Sequence, residues 1–181
     1  RAREVTKEAL IKGIKVRGYI STVMFCPYEK EIESAKVAKQ AEELVKMGCY
    51  EISLGDTIGS GTPKKTKQMV IACKDAVGID KLAVHFHDTY GQALANILAS
   101  IELDVKVIDT SVGGLGGCPY APGAKGNVAT EDVLFMLNGM GIRTGVDLDK
   151  ICEASKFVFS KLGRTPSSRV FNALESKNKR N

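Results

Sequence analysis

Residues 81–109 read KLAVHFHDTYGQALANILASIELDVKVID, a strand, a helix and a second strand in one stretch. Lys81–His87 is a short apolar run that turns polar at its end, the pattern of a strand covered on both faces. Tyr90–Ile101 spaces its apolar residues as a helix does. Lys106–Asp109 is again a short apolar strand, closed by Thr110-Ser111. Two strands of one sheet joined through a crossover helix run parallel.

The same unit recurs upstream. Val5–Lys15 is expected as a helix, Arg17–Phe25 as a strand stopping at Cys26-Pro27, and Glu33–Met47 as an amphipathic helix ended by Gly48. Tyr50–Leu54 reads as a buried strand followed by the turn Gly55-Asp56-Thr57. Pro63 then opens the helix Lys64–Val77, since proline suits a first helical turn. Downstream, a glycine-rich loop runs from Gly113 to Asn127. Thr130 is expected to cap a helix reaching Met140, with Glu131 and Asp132 in its first turn to complement the dipole. Asp147–Leu162 reads as the last helix. The polar stretch 164–181 is expected to be a flexible tail, which leaves 1–163 as the folded domain.

About four βα units plus C-terminal helices predict an α/β fold. The short strands and unit length suit a parallel (β/α)8 TIM barrel, which needs ~250 residues, so the expectation is the second half of one. A doubly wound open sheet of four strands is the alternative. In both, functional residues gather at the C-terminal ends of the strands.

Composition narrows the function. The chain has 181 residues, 44% of them hydrophobic and 26% charged, as in folded globular domains. No apolar run approaches the ~18 residues of a membrane span, so no membrane association is expected. The net charge of +5 is spread along the chain, apart from Lys177–Arg180, and forms no basic stripe for nucleic acid. Five cysteines without a CxxC pair argue against a disulfide scaffold and for a reducing compartment.

The polar residues collect at strand ends. His85 and His87, the only histidines, stand two apart, so strand periodicity puts both imidazoles on one face and Phe86 on the other. Such a pair is either a set of metal ligands or a hydrogen-bonded rim pair. Asp56 and Asp109 end two other strands, where an aspartate serves catalysis or caps the next turn. Asp88 is expected to orient a histidine or a loop amide. In GGLGGCPYAPGAKGN (113–127), glycines on both sides of Cys118 would let a mobile lid carry a thiol, or the loop is a surface loop with an incidental cysteine. It matches neither a dinucleotide fingerprint nor a P-loop. Asn127, the next polar group after the loop, could return toward the strand ends as an oxygen ligand. Cys49, Cys73 and Cys152 read as small core residues.

Three segments together, Ser53-Leu54-Gly55-Asp56-Thr57, His85-Phe86-His87-Asp88-Thr89-Tyr90-Gly91-Gln92-Ala93 and Gly116-Gly117-Cys118-Pro119-Tyr120-Ala121 with Gly126-Asn127, resemble the hydroxymethylglutaryl-CoA lyases. These are metal-dependent (β/α)8 lyases, and the resemblance runs from about Val16 to Arg169. The His-x-His element alone would also fit isopropylmalate or homocitrate synthases. The resemblance implies His85, His87 and Asn127 as ligands of Mg²⁺ or Mn²⁺, and Cys118, Asp56 and His85 as catalytic residues. It further implies 3-hydroxy-3-methylglutaryl-CoA as substrate, cleaved to acetyl-CoA and acetoacetate in ketone body formation and leucine degradation. A homodimer is implied, in the mitochondrial matrix if the source is eukaryotic and otherwise in the cytoplasm. The superfamily's Asp-Arg-Glu motif, source of a further metal ligand and of a cationic clamp, has no match in Arg1–Lys15. The isolated chain is therefore expected to be inactive.

Overall fold

The computed structural model describes residues 1–117 and 126–178. Cys118, with the rest of 118–125, and residues 179–181 lie outside the described residues. The chain divides into two compact units, Arg1–Asp109 and Thr110–Asn181, rather than breaking at residue 163.

The first unit is α1 (Ala2–Ile11), β1 (Arg17–Ile20), β2 (Phe25–Cys26), β3 (Lys30–Glu31), α2 (Ser34–Lys46), β4 (Glu51–Asp56), α3 (Pro63–Val77), β5 (Leu82–Phe86), α4 (Ala93–Ile101) and β6 (Val107–Asp109). Its main sheet has the order β1-β4-β5-β6, every pair parallel. Strands that neighbour one another in chain order are the signature of barrel winding. A doubly wound sheet reverses its order at a switch point, and that alternative falls.

One face of this sheet is apolar and helix-covered. Ile52, Leu54, Leu82, Val84 and Phe86 are at most 2% exposed; α2 packs on β1 and β4, α4 packs on β5, and α3 packs against both helices. Burial of each such side chain is worth ~1.5–3 kcal/mol. Gly18 lets α2 come close, since a Cβ there would stand 3.0 Å from both Leu44 and Ile52 side-chain carbons.

The expected strand Arg17–Phe25 is shorter than its pattern suggests. β1 ends at Ile20, and Thr22 takes a left-handed backbone (φ 56) while its N–H donates to Thr57 Oγ1 at 2.9 Å. An extended chain cannot continue through that conformation. Phe25–Cys26 instead pairs antiparallel with Lys30–Glu31 in a separate two-stranded ribbon.

The second unit is helical: α5 (Thr130–Gly139), α6 (Leu148–Leu162) and α7 (Arg169–Asn178). Asp147 caps α6 as its position suggested, accepting from Asp149 N and Lys150 N. The expected cap at Thr130 is absent. Ala129 holds the cap position, and the Thr130 hydroxyl pairs with that of Thr110 at 2.8 Å. Glu131 lies in the first turn as expected. It is fully buried, and both its oxygens accept the N–H of Gly113, at 3.0 and 2.9 Å. Gly113 needs its freedom, because φ is +58 and a Cβ would lie 2.8 Å from Ser155 Oγ.

The flexible-tail expectation for 164–181 is corrected by α7. Asp132, on α5, accepts from Val170 N at 2.9 Å and from Ser168 Oγ at 2.6 Å, while Ser168 Oγ accepts from Phe171 N. These bonds take up donors that a helix start leaves free, and Phe171 buries its ring beneath them. No helix among the described residues is long and apolar enough to cross a membrane.

Candidate metal and active site

The other face of the sheet is polar. Strand parity places Arg17 and Tyr19 of β1, Glu51 and Ser53 of β4, His85 of β5 and Asp109 of β6 on it together. In register, Arg17 faces Glu51, Tyr19 faces Ser53, and Gly55, His85 and Asp109 stand side by side. Gly55 lets β1 come close, since a Cβ there would stand 3.1 Å from the Ile20 carbonyl oxygen.

His85 and His87 converge as their spacing required. Their ring centroids are 5.6 Å apart and inclined by 48°, and Phe86 is buried on the opposite face. His87 is 6% exposed, and its N–H donates to the Asp56 carbonyl at 3.2 Å, which ties the ends of β4 and β5 together. The Nδ1 atoms of both rings are buried without a hydrogen-bond partner. Buried imidazole nitrogens without partners are a costly arrangement unless something else engages them. Burial and then the neighbouring His85 hold His87 below the usual imidazole range, so its neutral, metal-binding form is favoured.

A charged network stands beside this pair. Arg17 donates through Nε to Glu51 at 2.5 Å, through an Nη to Asp109 Oδ2 at 2.9 Å and to the Tyr19 hydroxyl. Ser53 Oγ also donates to Asp109 Oδ2, at 2.8 Å. Burial alone would lower the basicity of Arg17, but its bonds to Asp109 and Glu51 outweigh this and raise it. At Asp109, burial opposes ionisation, and His85, Arg17 and Ser53 overcome it to hold the carboxyl well below the usual range. Sequence reasoning missed Arg17, Glu51 and Ser53. The available signal was their parity, which is that of His85 within the same sheet.

The remaining candidates sit elsewhere. Asp56 shares its parity with Ile52 and Leu54, away from the histidines, and is fully buried. Its Oδ1 accepts from Gly59 N at 3.2 Å and its Oδ2 from Gly61 N at 2.8 Å, so of its two open readings the structure displays the turn cap. Burial raises its pKa, against the pull of these amides. Asp88 meets neither expectation: its Oδ1 accepts from the N–H of Ala93, the first residue of α4, at 3.0 Å. Asn127 belongs to the second unit, where its side-chain nitrogen donates to Leu115 O at 2.9 Å. That bond commits the nitrogen and leaves the carbonyl end of the amide to accept or to ligate. Cys118 lies outside the described residues.

The donor set suits a divalent cation. Among the described residues, no three His, Cys, Asp or Glu side chains gather as a ligand group. A cation here would take two imidazoles and complete its shell with amide, substrate or solvent oxygens. A mixed nitrogen and oxygen shell suits Mn²⁺ and is accessible to Mg²⁺, whereas thiolate-rich sites favour zinc.

Comparison with known proteins points the same way. A family model described as HMGL-like matches residues 1–158. The mitochondrial hydroxymethylglutaryl-CoA lyase of Gallus gallus is 55% identical over 173 residues, covering 96% of this chain and 58% of that protein. The Arabidopsis thaliana enzyme of that name is 54% identical over 96% of this chain and 37% of its own. The crystal structure of hydroxymethylglutaryl-CoA lyase from Pseudomonas aeruginosa superposes with a TM-score of 0.95 at 51% identity, over 98% of this chain and 59% of that one. The carboxyl transferase domain of Rhizobium etli pyruvate carboxylase, at 22% identity and a TM-score of 0.70, shares the fold alone. The chain spans about half the length of the curated relatives it matches.

Proposed function

Because this chain belongs to the HMGL-like family and carries part of its TIM-barrel fold, we propose that it supplies the histidine metal ligands of a hydroxymethylglutaryl-CoA lyase, which cleaves 3-hydroxy-3-methylglutaryl-CoA to acetyl-CoA and acetoacetate. The observation that carries this reading is the convergence of the His85 and His87 imidazoles at the end of β5, on one face of the strand, with ring centroids 5.6 Å apart. The resemblance adds Asn127 as an oxygen donor. When bound, a divalent cation supplies Lewis-acid polarisation of the substrate's tertiary hydroxyl and carboxylate.

The chain's own residues have separate tasks. His85 and His87 bind through neutral nitrogens, and burial of His87 keeps protons from competing for its site. Asp56 is a positioning residue, holding the Gly59–Gly61 turn beside the end of β5. In the cleavage a general base accepts the hydroxyl proton as the carbon–carbon bond breaks, its electron pair passing to the thioester fragment, which leaves acetoacetate and the enolate of acetyl-CoA. That enolate takes a proton at carbon, and we assign this donor to Cys118, as the resemblance does. In a eukaryotic cell the compartment is the mitochondrial matrix, since the eukaryotic relatives carry "mitochondrial" in their names.

The test is acetoacetate release from 3-hydroxy-3-methylglutaryl-CoA by the intact protein with Mg²⁺ or Mn²⁺. His87→Ala is expected to lower turnover by ~10²–10³ and to weaken the cation's binding. Turnover untouched by His87→Ala and by a chelator would refute the assignment.

A further inference from the structure

Among the described residues, Asp109 is the charged side chain that stands against a candidate metal ligand, and the two histidines differ because of it. It ends β6 directly beside His85 in the parallel register. Its Oδ2 lies 3.4 Å from His85 Nδ1, short of hydrogen-bond alignment but close enough to decide which ring nitrogen faces it. His87 has no such neighbour among the described residues, and its Nδ1 is unpaired.

The carboxylate cannot turn away. Arg17 and Ser53 both donate to that same Oδ2, at 2.9 and 2.8 Å, from β1 and β4. Arg17 is itself held by Glu51, and the edge of the Tyr19 ring stands against His85 at 6.2 Å between centroids, at 83°. Three strands thus direct side chains onto one carboxylate oxygen of the fourth. Since a carboxylate only accepts, a lone pair at His85 Nδ1 would face another lone pair at 3.4 Å, whereas an N–H there is attracted.

We propose that Asp109, clamped by Arg17 and Ser53, is a positioning residue that keeps His85 as the Nδ1–H tautomer, so that its Nε2 lone pair is free to ligate the divalent cation. This rests on the metal reading above and deepens it. It also makes the two ligands unequal: His85 is set before the cation arrives, and His87 has its tautomer chosen by it. A histidine with its second nitrogen held by a carboxylate gains both orientation and basicity toward a metal.

The experiment uses the intact protein labelled with ¹⁵N at histidine, with His85 and His87 assigned through His87→Gln. Above the titration range and without metal, His85 is expected to show a protonated Nδ1 and an unprotonated Nε2. In Asp109→Ala that preference is expected to collapse toward the Nε2–H form, and Mn²⁺ affinity to fall ~10–100-fold. A merely structural ion pair would lower thermal stability and leave the tautomer alone, which would overturn the proposal. Should Asp109→Ala fail to fold, the unmodified protein still decides, because an Nε2–H His85 there overturns it as well. A protein that shows the predicted tautomer yet binds no Mn²⁺ would refute the metal reading while supporting the hold of Asp109 on His85.

Discussion

The two faces of the β1-β4-β5-β6 sheet are built from alternate residues of the same strands, yet they obey opposite rules. On one face Ile52, Leu54, Leu82, Val84 and Phe86 are sealed under helices and make no polar contact a substitution could unpair. On the other, Arg17, Glu51, Ser53, His85 and Asp109 are joined by polar contacts, and all but the buried Ser53 remain in part open to solvent. The apolar face sets how strongly the unit folds. The polar face sets what can bind there, and it is tolerable only because each charge has a partner of opposite sign. One-residue alternation along β4 and β5 is therefore the boundary between stability and chemistry in this molecule.

Breaking the apolar face gives the largest expected effect. Phe86→Ala, at 1% exposure, removes a full aromatic side chain from between the two histidines and opens a cavity under the helices. The expected loss is about 3–5 kcal/mol in urea denaturation. A loss below 1 kcal/mol would mean that the helices do not depend on this face. Breaking the polar face should cost less. Arg17→Met leaves Glu51 and Asp109 without their shared cation, but the three side chains are 18, 14 and 21% exposed, so water screens part of the cost. The expected loss is about 1–3 kcal/mol, between that of a surface pair and that of a fully buried one. Equal losses from Phe86→Ala and Arg17→Met would erase the distinction between the faces.

How far the sequence disclosed each face follows from the range of the interactions involved. The helices α2, α3 and α6 and the pairing of His85 with His87 depend on periodicities of 3.6 and 2, which are local, and they stand where they were expected. Arg17 was not singled out, because its meaning comes from Glu51 and Asp109, which are 34 and 92 residues away. The helix α7 was read as a tail for the same reason. Its start is held by Asp132, and its own sequence carries only the Ser168 cap. Glu131 was expected to complement the dipole in the first turn of α5, and nothing local announces that Gly113 turns its N–H onto it. Of the candidate site, then, the histidines were legible, and the residues that orient them were not.

The smallest expected effect sharpens the comparison at Asp56, an acidic residue on the apolar face. Its carboxyl accepts from Gly59 N and Gly61 N, so it stabilises the turn, but burial opposes its ionisation. Burial wins, and the folded-state pKa lies above the value in the unfolded chain. Between those two values the native state binds more protons than the unfolded one, so stability falls as pH rises through the raised pKa. Asp56→Asn has no such charge to bury. It keeps one carbonyl oxygen for Gly61 N–H but offers an amide N–H toward that of Gly59, so it should be less stable than the parent at low pH. The deficit should then narrow as pH climbs past the Asp56 pKa, because only the parent loses stability there. Paired denaturation curves of parent and Asp56→Asn across pH 4–8 read this difference directly. A deficit that widens with pH would mean that the amides of Gly59 and Gly61 overcome burial. Asp56 would then behave as a residue of the polar face, whatever its strand parity.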